Sequence, residues 1–107
     1  MKYDLIIIGG GPAGVSAGVY AARKKLKTLF ITKDWNSQST VSEGIENWIG
    51  TIKIHGMDFA KSLESHLRAY AKDNLEILVG ESCEKIRDPI MILRSQLIRE
   101  IMRANQY

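Results

Sequence analysis

Residues 4–25 read DLIIIGGGPAGVSAGVYAARKK, and the fold turns on how this stretch is parsed. With Tyr3 ahead of it, the run to Ile8 is apolar and isoleucine-rich, as suits a strand buried inside a parallel sheet. Gly9, Gly11 and Gly14 follow as G-x-G-x-x-G. In a strand-turn-helix unit the first such glycine permits the tight turn. The second lets backbone approach a pyrophosphate, and the third lets the helix pack close to the strand. Pro12 falls where a first helical residue belongs. Val15, Val19, Tyr20 and Ala22 predict one helix face. Arg23, Lys24, Lys25 and Lys27 place positive charge at the helix's negative pole. Residues 28–32, TLFIT, read as a second strand, which completes a βαβ unit of about 30 residues. The glycine pattern is weak alone. Between a strand and a helix it points to a nucleotide phosphate, held by the free N–H groups and partial positive charge of the helix N-terminus. Gly18, one turn on, extends the close packing.

Outward from this unit, composition sets limits. The chain has 107 residues, 45% hydrophobic and 25% charged, with a net charge of +3. That length fits one domain at most, of ordinary globular composition. A charge of +3 gives no reason to expect a nucleic-acid partner. Arg87, Arg94, Arg99 and Arg103 against Asp88 and Glu100 leave +2 of it in the last stretch. Cys83 is the only cysteine, which rules out an internal disulfide and a CxxC site and makes a reducing cytoplasm the expected setting. No run approaches the ~18 apolar residues of a membrane span, so no membrane partner is expected.

Residues 33–54 are polar with little periodicity, and read as a long ordered loop holding one short helical turn. Loops of that length in a compact domain are usually functional. Residues 57–73 predict a helix with Phe59, Ala60, Leu63, Leu67, Tyr70 and Ala71 on one face, and Asp58 suits its N-terminus. Residues 75–79 predict a third strand, with a turn or short strand through Ile86. In the tail, Asp88-Pro89 is a good helix start. Ile90, Leu93, Leu97, Ile101 and Ala104 then recur at helical spacing, which predicts an amphipathic helix over 88–107.

The end of the second strand usually carries an acid that binds a ribose hydroxyl. Here Thr32 and Lys33 stand there and Asp34 comes two residues late, which weakens a plain NAD site. Trp35 and Trp48 read equally as covers for a bound ring or as loop packing. His55 and His66 lack a ligand-spaced partner, so no metal site is expected.

The segments GGGPAG, LFITKDWNSQS and IENWIG, followed by a G-x-D-x-x-x-x-L helix at Gly56, resemble the N-terminal segment of thioredoxin reductases, flavin-dependent members of the pyridine nucleotide-disulfide oxidoreductases. The resemblance covers residues 2–86. It implies an α/β fold: an incomplete Rossmann-like FAD/NAD(P)-binding domain, a three-stranded parallel sheet with flanking helices, here with the added C-terminal amphipathic helix. It implies FAD as cofactor, its pyrophosphate on Gly9, Gly11, Pro12, Ala13 and Gly14 and its ribose at Thr32 and Lys33. Gln38 and Asn47 match the family's flavin-side glutamine and asparagine. Asn36, Ser37 and Ile49 depart from the G-G-Q and E-N-[FW]-P-G patterns. Cys83 falls where the adenine is cupped, as a small packing residue. The parent reaction implied is NADPH-dependent reduction of a thioredoxin-like disulfide. Its nicotinamide domain and CxxC are not among these residues, so no catalytic residue is assigned and the isolated chain is expected to be inactive and of low stability. The alternatives are a standalone FAD- or NAD-binding module, homodimeric forms included. The resemblance divides the chain into 1–86, the N-terminal part of the FAD domain, and 87–107, a non-family tail. Back-translated with free third bases, the tail in the frame offset by two bases can spell a hairpin with a G-x-Y turn, as the family has here. The tail is therefore expected to arise from a frameshift that truncates the chain.

Overall fold

The computed structural model describes residues 3–87, 90–93 and 97–98. Strand β1 (Leu5–Ile8) leads through the glycine turn into helix α1 (Pro12–Arg23), then strand β2 (Thr28–Thr32). A loop with one 3₁₀ turn (Gln38–Val41) leads to helix α2 (Gly56–Ala69) and strand β3 (Leu75–Val79). The sheet is parallel in the order β1-β2-β3, with Ile7 beside Phe30 and Phe30 beside Ile77. This is the three-stranded parallel core expected from the sequence.

β2 is the central strand, and all five of its residues are buried. That explains why TLFIT shows no polar alternation. Its two faces serve two clusters. Phe30 points toward Val15 and Val19 of α1 and Phe59, Leu63 and Leu67 of α2. Leu29 and Ile31 point the other way, with Tyr3, Ile6, Leu78 and Cys83. The expected face of α2 is met at Phe59, Leu63 and Leu67, while the helix ends at Ala69, short of residue 73. On α1, Val15 and Val19 are buried but Tyr20 is exposed; Gly18 and Ala21 take its place. Five residues after Val15 the helix has turned well off the buried side, whereas three or four residues keep the face.

Gly18 allows α1 to sit close. A Cβ there would lie 2.7 Å from Leu67 Cδ1 and 3.3 Å from Phe30 Cδ2. Gly56 does the same for the loop, since a Cβ would lie 2.0 Å from the Ser39 carbonyl oxygen. Nothing in the sequence pattern marks Gly56 as more than a helix start.

The tail departs from expectation. Ile90–Leu93 and Leu97–Ile98 are strands β5 and β6, not helix. They form an antiparallel sheet with β4 (Cys83–Arg87), in the order β4-β5-β6 and with Arg87 opposite Ile90. The run IMIL fits a strand as well as a helix, and short apolar runs are ambiguous by period. β4 offers a backbone edge to pair with. The rest of the expected helix, including Ile101 and Ala104, lies outside the described residues.

Tyr3 ties the sheet across its width. Its phenol donates to Glu76 Oε2 at 2.6 Å, from ahead of β1 to β3. Burial, then the hydrogen bond and charge of Glu76, push the phenol up to about 12. A phenol raised above its unfolded value stabilises the fold fully below pH 10, and that contribution is lost as pH climbs to about 12. Tyr3→Phe is expected to cost about 1 kcal/mol at neutral pH, because Glu76 is exposed and rehydrates. Denaturant melts at neutral pH and across pH 10–12 check this. The variant should lose less stability over that alkaline window than the wild type.

Candidate dinucleotide site

The C-terminal ends of β1 and β2 open into a cleft of about 480 Å³. Gly9, Gly10 and Gly11 form one wall. Thr32, Lys33, Asp34, Asn36 and Ser37 form a second, and Glu81, Ser82 and Cys83 a third. Ligands in open α/β sheets bind at this carboxyl end of the strands. Gly9 has φ +112°, a conformation L side chains rarely adopt, and its N–H donates to the Ile31 carbonyl at 2.8 Å. Gly14 lies directly behind it: a Cβ would come within 1.9 Å of the Gly9 carbonyl oxygen.

Gly11 is different. It is the N-cap of α1 with ordinary φ, and an added Cβ would meet only Ser37 Cβ, at 3.5 Å. The protein's own packing therefore does not require glycine there, and Gly11 lines the open cleft. No side chain caps this helix, and its first turn has no acid. The two helices contrast. At α2 the His55 Nδ1 accepts from the Met57 N–H at 3.2 Å, and Asp58 sits in the first turn. One helix N-terminus is closed by its own side chains, and the other has no side-chain cap and no acid in its first turn.

The turn after β2 is braced internally. The Thr32 hydroxyl is buried and donates to the Asp34 carbonyl at 2.5 Å. Asp34 Oδ1 accepts from the Asn36 N–H at 2.8 Å. Lys33 is exposed on the cleft wall, which Asp34 and Glu81 also line. Cys83 is half-buried, touching both the cleft and the Leu29–Ile31 cluster.

A second cleft, of about 550 Å³, is lined by Pro12, Ser39, Ser42, Gly44, Ile45, Glu46, Asn47, Trp48 and Phe59. Gly11 lines the first cleft and Pro12 the second; Ser37 lines the first and Ser39 the second. The two openings thus meet along the start of α1 and the 3₁₀ turn that Gln38 begins. Trp48 lies 5.0 Å from Phe59, ring centre to ring centre, whereas Trp35 stacks on Phe30.

Of the residues expected from the sequence, Gly9, Gly11, Thr32, Lys33 and Cys83 converge on the first cleft. Pro12 and Asn47 line the second. Ala13 is exposed in the first turn of α1, and Gly14 acts from behind. Gly10, Ser37, Glu81 and Ser82 join the cleft without having been expected there. The run KDWNS carries a readable Asx-turn signal. Nothing local marks Glu81 or Ser82, which the end of β3 brings in.

A family profile described as pyridine nucleotide-disulphide oxidoreductase matches residues 3–99, past Ile86 where the resemblance in sequence stops. The NADH dehydrogenase of Bacillus subtilis is 35% identical over 78% of this chain and 16% of its own length. One polypeptide of the Pseudomonas putida alkyl hydroperoxide reductase is 35% identical over 75% of this chain and 15% of its own. Among solved structures, the thioredoxin reductase of Streptococcus pyogenes superposes with a TM-score of 0.78 at 28% identity, covering 94% of this chain and 33% of that one. That of Lactococcus lactis gives 0.76 at 27%, covering 94% and 34%. The chain therefore spans about a sixth of these curated relatives and a third of these solved structures. With the Rossmann-like core and the glycine cradle at its strand ends, this places the chain in the pyridine nucleotide-disulphide oxidoreductase family.

Proposed function

We propose that the chain is the dinucleotide-cradling part of an FAD-binding domain from a thioredoxin-reductase-like flavoprotein. The observation that carries this reading is the start of α1: an uncapped, acid-free helix N-terminus whose Gly11 has room for a Cβ that only an incoming ligand would contest. The N–H groups of Gly11, Ala13 and Gly14 are proposed to hold the pyrophosphate, with Pro12, which has no N–H, setting the helix start. Thr32, whose hydroxyl donates to the Asp34 backbone carbonyl, faces the ribose as an acceptor, and Lys33 adds charge at the rim. Cys83 fills space beside the adenine. Gln38 and Asn47 serve the flavin end, which extends into the second cleft.

Bound FAD would supply the two-electron relay between NADPH and a disulfide in the parent protein, whose substrate is proposed to be a thioredoxin-like protein. This chain has a single cysteine and so no dithiol of its own. On its own it is proposed to bind without turnover, in the cytoplasm. Among the described residues no helix is long and apolar enough to cross a membrane. Residues 1–86 are proposed as the part that carries the family's motifs, and a shifted reading frame is proposed for 87–107, a stretch the family profile enters as far as residue 99; the coding DNA tests it.

Titration of the purified 107-residue chain with FAD, NAD and NADP is the direct test. FAD is expected to saturate and to bind at least about tenfold more tightly than either nicotinamide dinucleotide. Equal or tighter NAD binding would favour a minimal NAD module instead, and NADPH-dependent disulfide reduction by this chain alone would overturn its assignment as a non-catalytic part. Sedimentation of the same sample reads whether it is a monomer or a homodimer.

A further inference from the structure

We infer that Trp35, which lines neither cleft as an assigned ligand residue, is the positioning residue that sets the height of the phosphate turn. This rests on the dinucleotide reading above. The middle glycine of the turn, Gly10, lies outside the G-x-G-x-x-G spacing, yet it has the most crowded outer face of the three. A Cβ on it would meet Trp35 Cε3 at 3.0 Å, Thr32 Oγ1 at 2.7 Å and the Asp34 carbonyl oxygen at 3.2 Å. The indole edge, with the Thr32 hydroxyl nearer still, thus closes the space beside Gly10 and forms a backstop to the turn.

The backstop itself makes two ring contacts. Phe30 of β2 stacks on the indole, with ring centres 5.9 Å apart and planes within 14°. The Arg68 guanidinium stands 5.5 Å over the same ring, near the end of α2. Arg68 is oriented in turn by Glu64, Nε to Oε2 at 2.7 Å. A flat ring in contact with both an aromatic and a cation is restrained in its orientation. Backbone donors for a phosphate are effective only when fixed in place before binding. Trp35 transmits the rigidity of the core to Gly10, and through it to the N–H groups of the next residues. A diphosphate should sense this, and a nucleoside that lacks phosphate should not.

The test uses the full chain with ADP and adenosine as probes, since neither absorbs or emits where tryptophan emits. ADP is expected to change the tryptophan emission and adenosine to leave it unchanged. In Trp35→Phe, which keeps a flat ring, the emission change disappears while ADP affinity stays within about threefold of wild type. In Trp35→Leu, ADP affinity falls at least about tenfold while adenosine affinity falls less than about threefold. A general loss of folded protein would lower both affinities in the same proportion. That equal loss, or ADP binding to wild type with no emission change, overturns the role of Trp35. Should Trp35→Leu fail to fold, the emission change in wild type and its loss in Trp35→Phe decide. A wild-type chain that binds no ADP overturns the dinucleotide reading itself, a separate result that removes the Trp35 role with it.

Discussion

Gly14→Ala is expected to destabilise the chain by about 3 kcal/mol or more, lowering its melting temperature by roughly 15 °C, which for so short a domain approaches loss of the fold. The new Cβ would stand 1.9 Å from the Gly9 carbonyl oxygen and 3.1 Å from its carbon. Both are backbone atoms, so no side-chain rotation relieves the overlap. Gly9 has little room to retreat, because its N–H is held by the Ile31 carbonyl and the turn sets its φ at +112°. Nor can α1 move outward cheaply, because Val15 is 1% exposed and Gly18 is already pressed against Leu67 and Phe30. Circular dichroism melts check the result. A melting point within a few degrees of wild type would show that the turn is looser than this geometry requires.

Gly11→Ala should do the opposite. The fold should survive with a change of less than about 1 kcal/mol, since the added methyl meets only Ser37 at ordinary contact distance. FAD and ADP binding should nevertheless weaken at least about thirtyfold, or roughly 2 kcal/mol. On the proposed reading, the methyl would stand where a diphosphate approaches the N–H groups of the helix start. Parallel melts and titrations of the two glycine variants separate a glycine kept for packing from one kept for a ligand. Undiminished ADP affinity in Gly11→Ala would move the phosphate away from this helix end.

How legible the site is depends on how local its causes are. The glycine turn, Pro12 and the β2 strand can be read directly because each rests on the backbone conformation of a few neighbouring residues. The 3₁₀ turn within the polar loop is legible for the same reason. Tyr20 falls off the buried side of α1 because the helix has already rotated past the face into which residue counting places it. Ile90–Leu93 reads wrongly as helix because IMIL satisfies both helical spacing and strand composition, and only pairing with β4 chooses between them. Gly56 and Gly10 look ordinary in sequence because the atoms that crowd them come from other segments: Ser39 for the first, Thr32 and Trp35 for the second.

By itself the sequence determined a βαβ unit with a phosphate-type turn, a second amphipathic helix and a third strand. Those follow from local periodicity and backbone sterics, which need no partner to be read. The tertiary structure decided the rest. It left the α1 start uncapped while closing that of α2, and it brought Glu81, Ser82 and Cys83 to the cleft from the far end of β3. It divided the site residues between two adjoining clefts and set Trp35 behind Gly10. Each of these depends on distances between segments far apart in the chain, which packing of the sheet and helices fixes and no short stretch of sequence contains.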